Sequence, residues 1–419
     1  MEMKQLEEGV QPAQGGEAYQ PQLGKRSWLS SLGPAIITAA LVVGPGSVTL
    51  TSKMGAMYSY QTLWVVVLSV IFMAAFTEMS ARIGMASSQS LLMAIRTKWG
   101  AWASIVIGVS CFLVTSTFQG ANVIGAGMAV AALTGTSAKV WGAIFTLLSI
   151  SLLFFANFYK VLEKVMLVLV GIMLLSFLFT VLLVQPSLSG MVGGLVPIVP
   201  DGSIMMVIGL VATTFTVVGA LYQSYLVQEK GWRASDAKQG SRETYTGIVL
   251  LGLISLLIMV SAAAVLAPQG IKVNSAADMG KALEPLFGSW ATAVFMIGLW
   301  GAAFSSLTGN AIIGGVMLSD ALGYGSRLNT KVVRLFIMGV MALGGIIGVT
   351  FGKVPVQLIL LVQPITILVV PLIGLALFML ANDKKLMGEL KNTTGKNAIV
   401  LCGLLFLVVL AGKTLIELL

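Results

Sequence analysis

The 419-residue chain is 57% hydrophobic and only 10% charged, which excludes an ordinary soluble domain and indicates a membrane protein. Its formal net charge of +9 comes from lysine and arginine between apolar runs, so we infer no nucleic-acid partner from it. The chain has no histidine, and both cysteines, Cys111 and Cys402, fall within predicted helices, where a structural disulfide is not expected.

Eleven runs without Asp, Glu, Lys or Arg contain at least sixteen residues each. Each run can hold one membrane-crossing helix, because roughly 20 apolar residues span the hydrocarbon core. The sequence therefore predicts an all-α integral membrane protein with eleven transmembrane helices, preceded by a disordered cytoplasmic tail over residues 1–26. The runs are 27–52, 54–77, 99–138, 140–159, 165–200, 202–228, 244–271, 285–319, 335–352, 354–382 and 397–412.

The distribution of basic residues predicts the orientation. With the N-terminus inside, 19 of the 25 basic residues lie on the cytoplasmic side. Because cytoplasmic loops carry the excess of lysine and arginine, we expect a plasma-membrane protein with a cytoplasmic N-terminus and an external C-terminus. The basic residues left on the far side are Lys53, Lys139, Lys272, Lys281, Lys353 and Lys413.

Two spans contain helix-breaking sequences. The first carries Gly44, Pro45 and Gly46, and the sixth carries Thr213, Thr214 and Thr216 with Gly219. Interrupted helices at corresponding positions of two halves are the best sequence indication of a transporter built from inverted repeats. Because the breaks lie five spans apart, we expect a LeuT-like five-plus-five repeat, with TM1–5 in 27–200, TM6–10 in 201–383, and a loop with TM11 in 384–419.

Polar and small residues cluster at these breaks and in the middle of the third span. Glycine, hydroxyl and amide groups could bind a substrate there, although small and polar residues also serve close helix packing. Glu78 and Arg82, four residues apart, are expected to form a structural pair. The predicted substrate-binding residues are Gly44, Gly46, Ser47, Thr49, Gln119, Asn122, Thr213 and Thr216.

Several motifs, in order along the chain, resemble those of the Nramp family of divalent-metal transporters, whose fold is LeuT-like. Gly33-Pro34 opens the first span, and Ser80-Ala81 followed by Gly84-Met85-Ala86-Ser87 closes the second. The segment 222–228 is similar to the end of the family's sixth span, and 305–309 to its eighth-span signature. The resemblance implies a LeuT-like transporter of eleven or twelve spans.

The same resemblance shows departures at the metal-binding positions. Where the family carries Asp-Pro-Gly-Asn, this chain has Gly44-Pro45-Gly46-Ser47, and Thr213 to Val218 replace the family's Ala-x-x-Met-Pro-His. Gln119 and Asn122 replace the acids of the family's proton path. The family's metal-ligand positions are thus occupied by Gly44, Ser47, Thr213 and Thr216, and we expect no metal ligands of the usual kind and no titratable proton path.

These departures favour a secondary transporter with a neutral polar site that takes up a small polar organic solute. The alternatives are a divalent metal cation, with hydrated Mg²⁺ or Mn²⁺ favoured, and a transport-deficient membrane sensor. No enzyme is expected, because no nucleophile with an adjacent base can be identified and histidine is absent. We expect no cofactor, and as partners only the substrate or ion and the lipid bilayer; oligomeric state and coupling ion stay open.

Overall fold

The computed structural model describes residues 33–418 apart from 156, 272 and 352–355, and it excludes the side chains of 276, 351–365, 417 and 418. The described residues form helices and connecting loops, and no β-strand occurs in that part of the chain. The predicted tail at 1–26 lies outside the described residues. The α-helices are α1 Pro34–Val42, α2 Pro45–Tyr58, α3 Leu63–Ala86, α4 Leu91–Trp99, α5 Ala101–Thr134, α6 Ala138–Leu152, α7 Phe158–Val184, α8 Leu188–Gly193, α9 Ile204–Thr214, α10 Val217–Glu229, α11 Ala237–Gln269, α12 Ala276–Phe287, α13 Ser289–Ala321, α14 Lys331–Phe351, α15 Val356–Ala381, α16 Lys384–Met387 and α17 Thr394–Leu418.

The helices match the expected all-α membrane architecture. Within the described residues, eight helical segments are long and apolar enough to cross a bilayer, with α9 and α10 counted together as one, and two bent helix pairs raise the number to ten. The region of the predicted fourth span forms α6, an apolar helix of 15 residues that is shorter than the usual span. The count of eleven therefore stays a prediction.

The first span is broken, as its sequence predicts. α1 and α2 meet at 61° across Val43 and Gly44. α1 ends where the Val43 N–H donates to the Ala39 carbonyl at 3.3 Å, and Pro45 has no N–H with which to continue the ladder. The Gly44 carbonyl then accepts the Val48 N–H at 2.9 Å and begins α2.

The sixth span is interrupted without a proline. α9 ends at Thr214 and α10 begins at Val217, with Phe215 and Thr216 between them. Thr216 caps α10, because its hydroxyl accepts the Gly219 N–H at 3.4 Å. The Phe215 ring fixes the interruption against the second span, with its centroid 5.0 Å from that of Phe76. The predicted interruptions of the first and sixth spans are confirmed.

The expected Glu78–Arg82 pair forms and extends into a network. Glu78 is buried and accepts the Arg82 Nε–H at 2.8 Å, the Lys396 ammonium at 2.7 Å and the Ser241 hydroxyl at 2.9 Å. Arg82 also donates to Asn392 Oδ1 at 2.6 Å. Since its charge is compensated by two cations, Glu78 ties α3 to α11 and α17.

Candidate functional site

A cavity with polar and apolar side chains in its wall lies where the two interrupted spans meet α5 and α13. About 50 Å³ inside it is open to the centres of water molecules. Such concave sites at broken helices near mid-depth are where transporters of this architecture bind substrate. The lining residues are Leu41, Val42, Gly44, Gly46, Ser47, Val114, Thr115, Phe118, Asn122, Ala212, Thr213, Thr216, Val218, Gly219, Ser306, Asn310 and Ile313.

Two serines of α13 hold the broken end of α1. The Ser305 hydroxyl donates to the Ala40 carbonyl at 2.8 Å, and the Ser306 hydroxyl donates to the Leu41 carbonyl at 2.9 Å. These carbonyls belong to the last turn of α1, which has no further helical N–H groups to accept from. The serines therefore stabilise the break, and Val42, the next residue, lines the cavity.

Gly44 allows three spans to approach one another at this point. A Cβ built on Gly44 would lie 2.8 Å from the Ser306 Oγ and 3.4 Å from the Asn122 Oδ1. Gly125 does the same one turn away, where a Cβ would lie 2.4 Å from the Pro45 Cβ. The first span thus packs on α5 and α13 at distances that only glycine permits.

Thr213 and Thr216 form the wall contributed by the sixth span. The Thr213 hydroxyl donates to the Leu210 carbonyl at 3.0 Å, which is the back-bonding that bends a membrane helix. Thr216 faces the same cavity and caps the following helix through Gly219. Both residues therefore hydrogen-bond to backbone at the helix interruption and also line the cavity.

Asn122 contributes a buried amide with unused hydrogen-bonding capacity. Its side chain is 3% exposed, and within the described residues its Nδ2 has no hydrogen-bond partner. An unpaired polar atom costs free energy when buried, so a bound substrate or water is the natural partner for it. Asn122 is thus positioned to contact whatever occupies the cavity.

The structure brings together six of the eight predicted site residues: Gly44, Gly46, Ser47, Asn122, Thr213 and Thr216. Thr49 and Gln119 were predicted at the site but are not among the lining residues. The Thr49 hydroxyl donates to the Pro45 carbonyl at 2.7 Å within its own helix. Gln119 is fully buried and its Nε2 donates to the Leu307 carbonyl at 2.6 Å. Both polar groups therefore bind backbone beside the cavity.

Three polar lining residues were missed by the sequence analysis: Thr115, Ser306 and Asn310. Helical spacing could have indicated two of them, because Ser306 and Asn310 are four residues apart and share one face of α13. Thr115 lies seven residues, about two turns, before Asn122 and shares its face of α5. Spacing alone does not say which face of a helix is turned toward the cavity.

The cavity is electrically neutral. No Asp, Glu, Lys or Arg is among its lining residues, and no methionine or cysteine supplies sulfur. Within the described part of the chain, no three His, Cys, Asp or Glu side chains come together in a group that could hold a metal ion. The atoms available to bind a metal ion are amide, hydroxyl and backbone oxygens. Hard cations take such oxygens as ligands, either directly or through bound water.

Sequence comparison with known proteins identifies a matching family. The family model for natural resistance-associated macrophage protein-like (Nramp) proteins matches residues 35–417. The divalent metal cation transporter MntH of Deinococcus radiodurans is 27% identical over 383 residues, covering 88% of this chain and 85% of the relative. MntH of Nostoc sp. is 25% identical over 401 residues and covers 90% of both.

Solved structures agree on the fold. A manganese transporter of Eremococcus coleocola superposes with a TM-score of 0.74 at 19% identity, covering 93% of this chain and 87% of that one. Mhp1, a transporter of the nucleobase-cation-symport-1 family, superposes with a TM-score of 0.60 at 14% identity, covering 92% and 91%. The fold is therefore all-helical and LeuT-like, as predicted.

The predicted organic substrate is wrong. The curated relatives that match along most of their length are divalent metal cation transporters, and the matching family model spans nearly all described residues. The error came from reading the loss of carboxylate and thioether side chains as the loss of a cation. Neutral oxygens and retained water can also satisfy a divalent ion.

Proposed function

The chain belongs to the Nramp family, a family of membrane transporters and not of enzymes, and from this premise we propose that it transports a divalent metal cation through the cavity between its broken helices. The observation that carries the proposal is the cavity itself, in which four spans bring oxygen-bearing side chains together at the first-helix break. The ion passes as substrate and is not a resident cofactor.

The cation retains much of its hydration shell in this proposal. Removing water from a divalent ion is costly, and no carboxylate of the cavity compensates for it. The cavity offers about 50 Å³ to the centres of water molecules, which at about 10–15 Å³ per water is room for roughly three to five of them. Mg²⁺ in particular keeps several waters when it binds to proteins. The Asn122 and Asn310 amides and the Ser47 and Thr216 hydroxyls would hold that shell.

This site would discriminate weakly between Mg²⁺ and Mn²⁺. A thioether or thiolate ligand favours transition metals, and no sulfur lines the cavity. A hydrated ion presents mainly its water molecules to the protein, so ions of similar size and charge present nearly the same surface. Selection would rest on charge and hydrated size.

The proposal includes the membrane topology predicted from the sequence. The chain is a multi-pass membrane protein, and the bias of lysine and arginine supports a cytoplasmic N-terminus, an external C-terminus and a place in the cell membrane. The interruptions in the first and sixth spans support two five-helix repeats over 27–200 and 201–383, followed by 384–419.

Uptake by proteoliposomes tests the function. Purified protein reconstituted with a dye for Mn²⁺ or Mg²⁺ inside should accumulate both ions under an inside-negative potential. Gly46→Leu fills the cavity wall and should reduce uptake to the level of empty liposomes, whereas Gly171→Leu, in open space on α7, should leave it unchanged. Wild-type uptake equal to that of empty liposomes would overturn the function. Normal uptake by Gly46→Leu would contradict the location of the binding site but not the transport function.

A further inference from the structure

Glu243 caps the N-terminus of α1, the half-helix that ends at the cavity. Its Oε1 accepts the Gly33 N–H at 2.6 Å and the Ala35 N–H at 3.0 Å. These are N–H groups of the first turn, which have no partner within the helix. One carboxylate of α11 thus holds the end of α1 that lies opposite to the break.

The Glu243 carboxylate is buried, and only one of its two oxygens accepts hydrogen bonds from residues that the structure describes. Glu243 is 4% exposed, and among the described residues its Oε2 has no hydrogen-bond partner. In the described part of the chain no lysine or arginine bonds to it, and the nearby Lys230 ammonium binds Glu163. A buried charge without an ion-pair partner is costly, and binding a proton relieves that cost.

The other buried acids of the described chain bind cations or hydroxyl groups. Glu78 is paired with Arg82 and Lys396. Asp320 accepts the Tyr225 hydroxyl at 2.7 Å on one oxygen and the Ser90 hydroxyl at 3.0 Å on the other. Two cations compensate the charge of Glu78. Among the buried acids of this part of the chain, Glu243 is the one with a fully buried oxygen that lacks a hydrogen-bond partner.

The surroundings of Glu243 join α1 to three other elements. The Lys230–Glu163 pair lies directly against Gly33, where an added Cβ would be 2.1 Å from the Lys230 Nζ. α1 itself carries no charged residue. The titratable and charged groups contributed by the packed elements are Glu163 and Tyr159 on α7, Lys230 after α10, and Glu78 with Arg82 on α3, where Glu78 accepts the Ser241 hydroxyl of α11.

We propose that Glu243 is a proton-binding site, and that its protonation releases α1 from the position in which the carboxylate holds it. A carboxylate at a helix N-terminus is stabilised by the helix dipole and by charge-assisted hydrogen bonds, and both weaken when the charge is removed. α1 can respond as a unit, because only Val43 and Gly44 join it to α2. The link to transport rests on the proposed function.

Thiol labelling tests the proton site without any substrate. In a background of Cys111→Ala and Cys402→Ser, Ala39→Cys places a reporter on α1 at a position that is fully buried here. Its labelling rate, divided at each pH by that of a fully exposed cysteine because the reactive thiolate is lost as pH falls, should rise roughly tenfold from mildly alkaline to mildly acidic pH, the difference between a charged and a neutral hydrogen bond. Glu243→Gln should give the fast normalised rate at every pH.

Glu229→Gln is the matched control, since Glu229 also accepts a backbone N–H, that of Leu328 at 2.9 Å, on a residue outside α1. It should keep the wild-type pH dependence. If Glu243→Gln fails to fold, Glu243→Asp keeps the charge but is too short to hold both N–H groups, so labelling should be faster but still pH-dependent. An unchanged pH dependence in Glu243→Gln, or none in the parent reporter, overturns the proposal.

Metal uptake separates this proposal from the proposed function. With wild-type metal uptake present, Glu243→Gln should uncouple it from a pH gradient. If wild-type protein takes up no metal, the transport proposal fails, while the labelling experiment still decides whether Glu243 binds the proton.

Discussion

Gly44 lies directly against Ser306 across the break in the first span. A Cβ on Gly44 would be 2.8 Å from the Ser306 Oγ and 3.1 Å from its Cβ. The same serine donates its hydroxyl to the Leu41 carbonyl at 2.9 Å. One close contact therefore supports the broken helix and forms a wall of the cavity.

Gly44→Ala is expected to destabilise the protein by about 1–3 kcal/mol, the usual cost of overpacking a well-packed site. It should also lower metal uptake, because the first span must shift away from α13. Thermal unfolding of the purified protein and uptake by proteoliposomes measure the two effects.

The double substitution Gly44→Ala with Ser306→Gly should lose less stability than the sum of the two single substitutions, since the clashing side chain is absent from the double variant. Gly171→Ala, which has nothing within 4 Å of its added methyl group, serves as the neutral control. Equal stability of Gly44→Ala and Gly171→Ala would contradict the close packing.

Asn122→Asp is expected to raise the affinity for divalent cations at least tenfold. It places one carboxylate in a cavity that has none, and even at an effective dielectric constant near 20 a charge pair at 4 Å is worth about 4 kcal/mol before desolvation. Calorimetric titration with Mn²⁺ measures the change. Isosteric Asn122→Leu should weaken binding, and an Asp variant that binds no better than wild type would count against Asn122 as a metal contact.

Gln119→Met is expected to lower stability by about 0.5–1.5 kcal/mol with little change in metal affinity. The substitution keeps the side-chain size but removes the Nε2–H donor that bonds the Leu307 carbonyl at 2.6 Å. Urea or thermal unfolding gives the stability, and calorimetry gives the affinity. A large loss of metal affinity at unchanged stability would indicate that Gln119 belongs to the binding site.

Glu78→Gln is expected to cost about 3–5 kcal/mol, because it leaves Arg82 buried without its partner. The exposed Lys98–Asp383 pair provides the comparison: Lys98→Gln should cost less than about 1 kcal/mol, since solvent screens that pair. Thermal unfolding of both variants tests the contrast. Similar losses in the two would show that the Glu78 network does not depend on burial.

The uncharged runs and the Gly44-Pro45 pair were sufficient to predict the fold class and the first break, because bilayer thickness and the missing proline N–H act on local sequence alone. The interruption of the sixth span could be predicted from Thr213 and Thr216, whose hydroxyls compete with the helix backbone.

Only the tertiary structure decided which polar residues share the cavity. Periodicity identifies a common face, but the rotation of each helix about its axis is set by packing, here by Gly44 against Ser306 and Gly125 against Pro45. That rotation turns Asn122 toward the cavity and leaves Gln119 bound to the Leu307 carbonyl. Likewise, the cap that Glu243 makes on α1 joins residues 210 positions apart, a proximity that no local pattern contains.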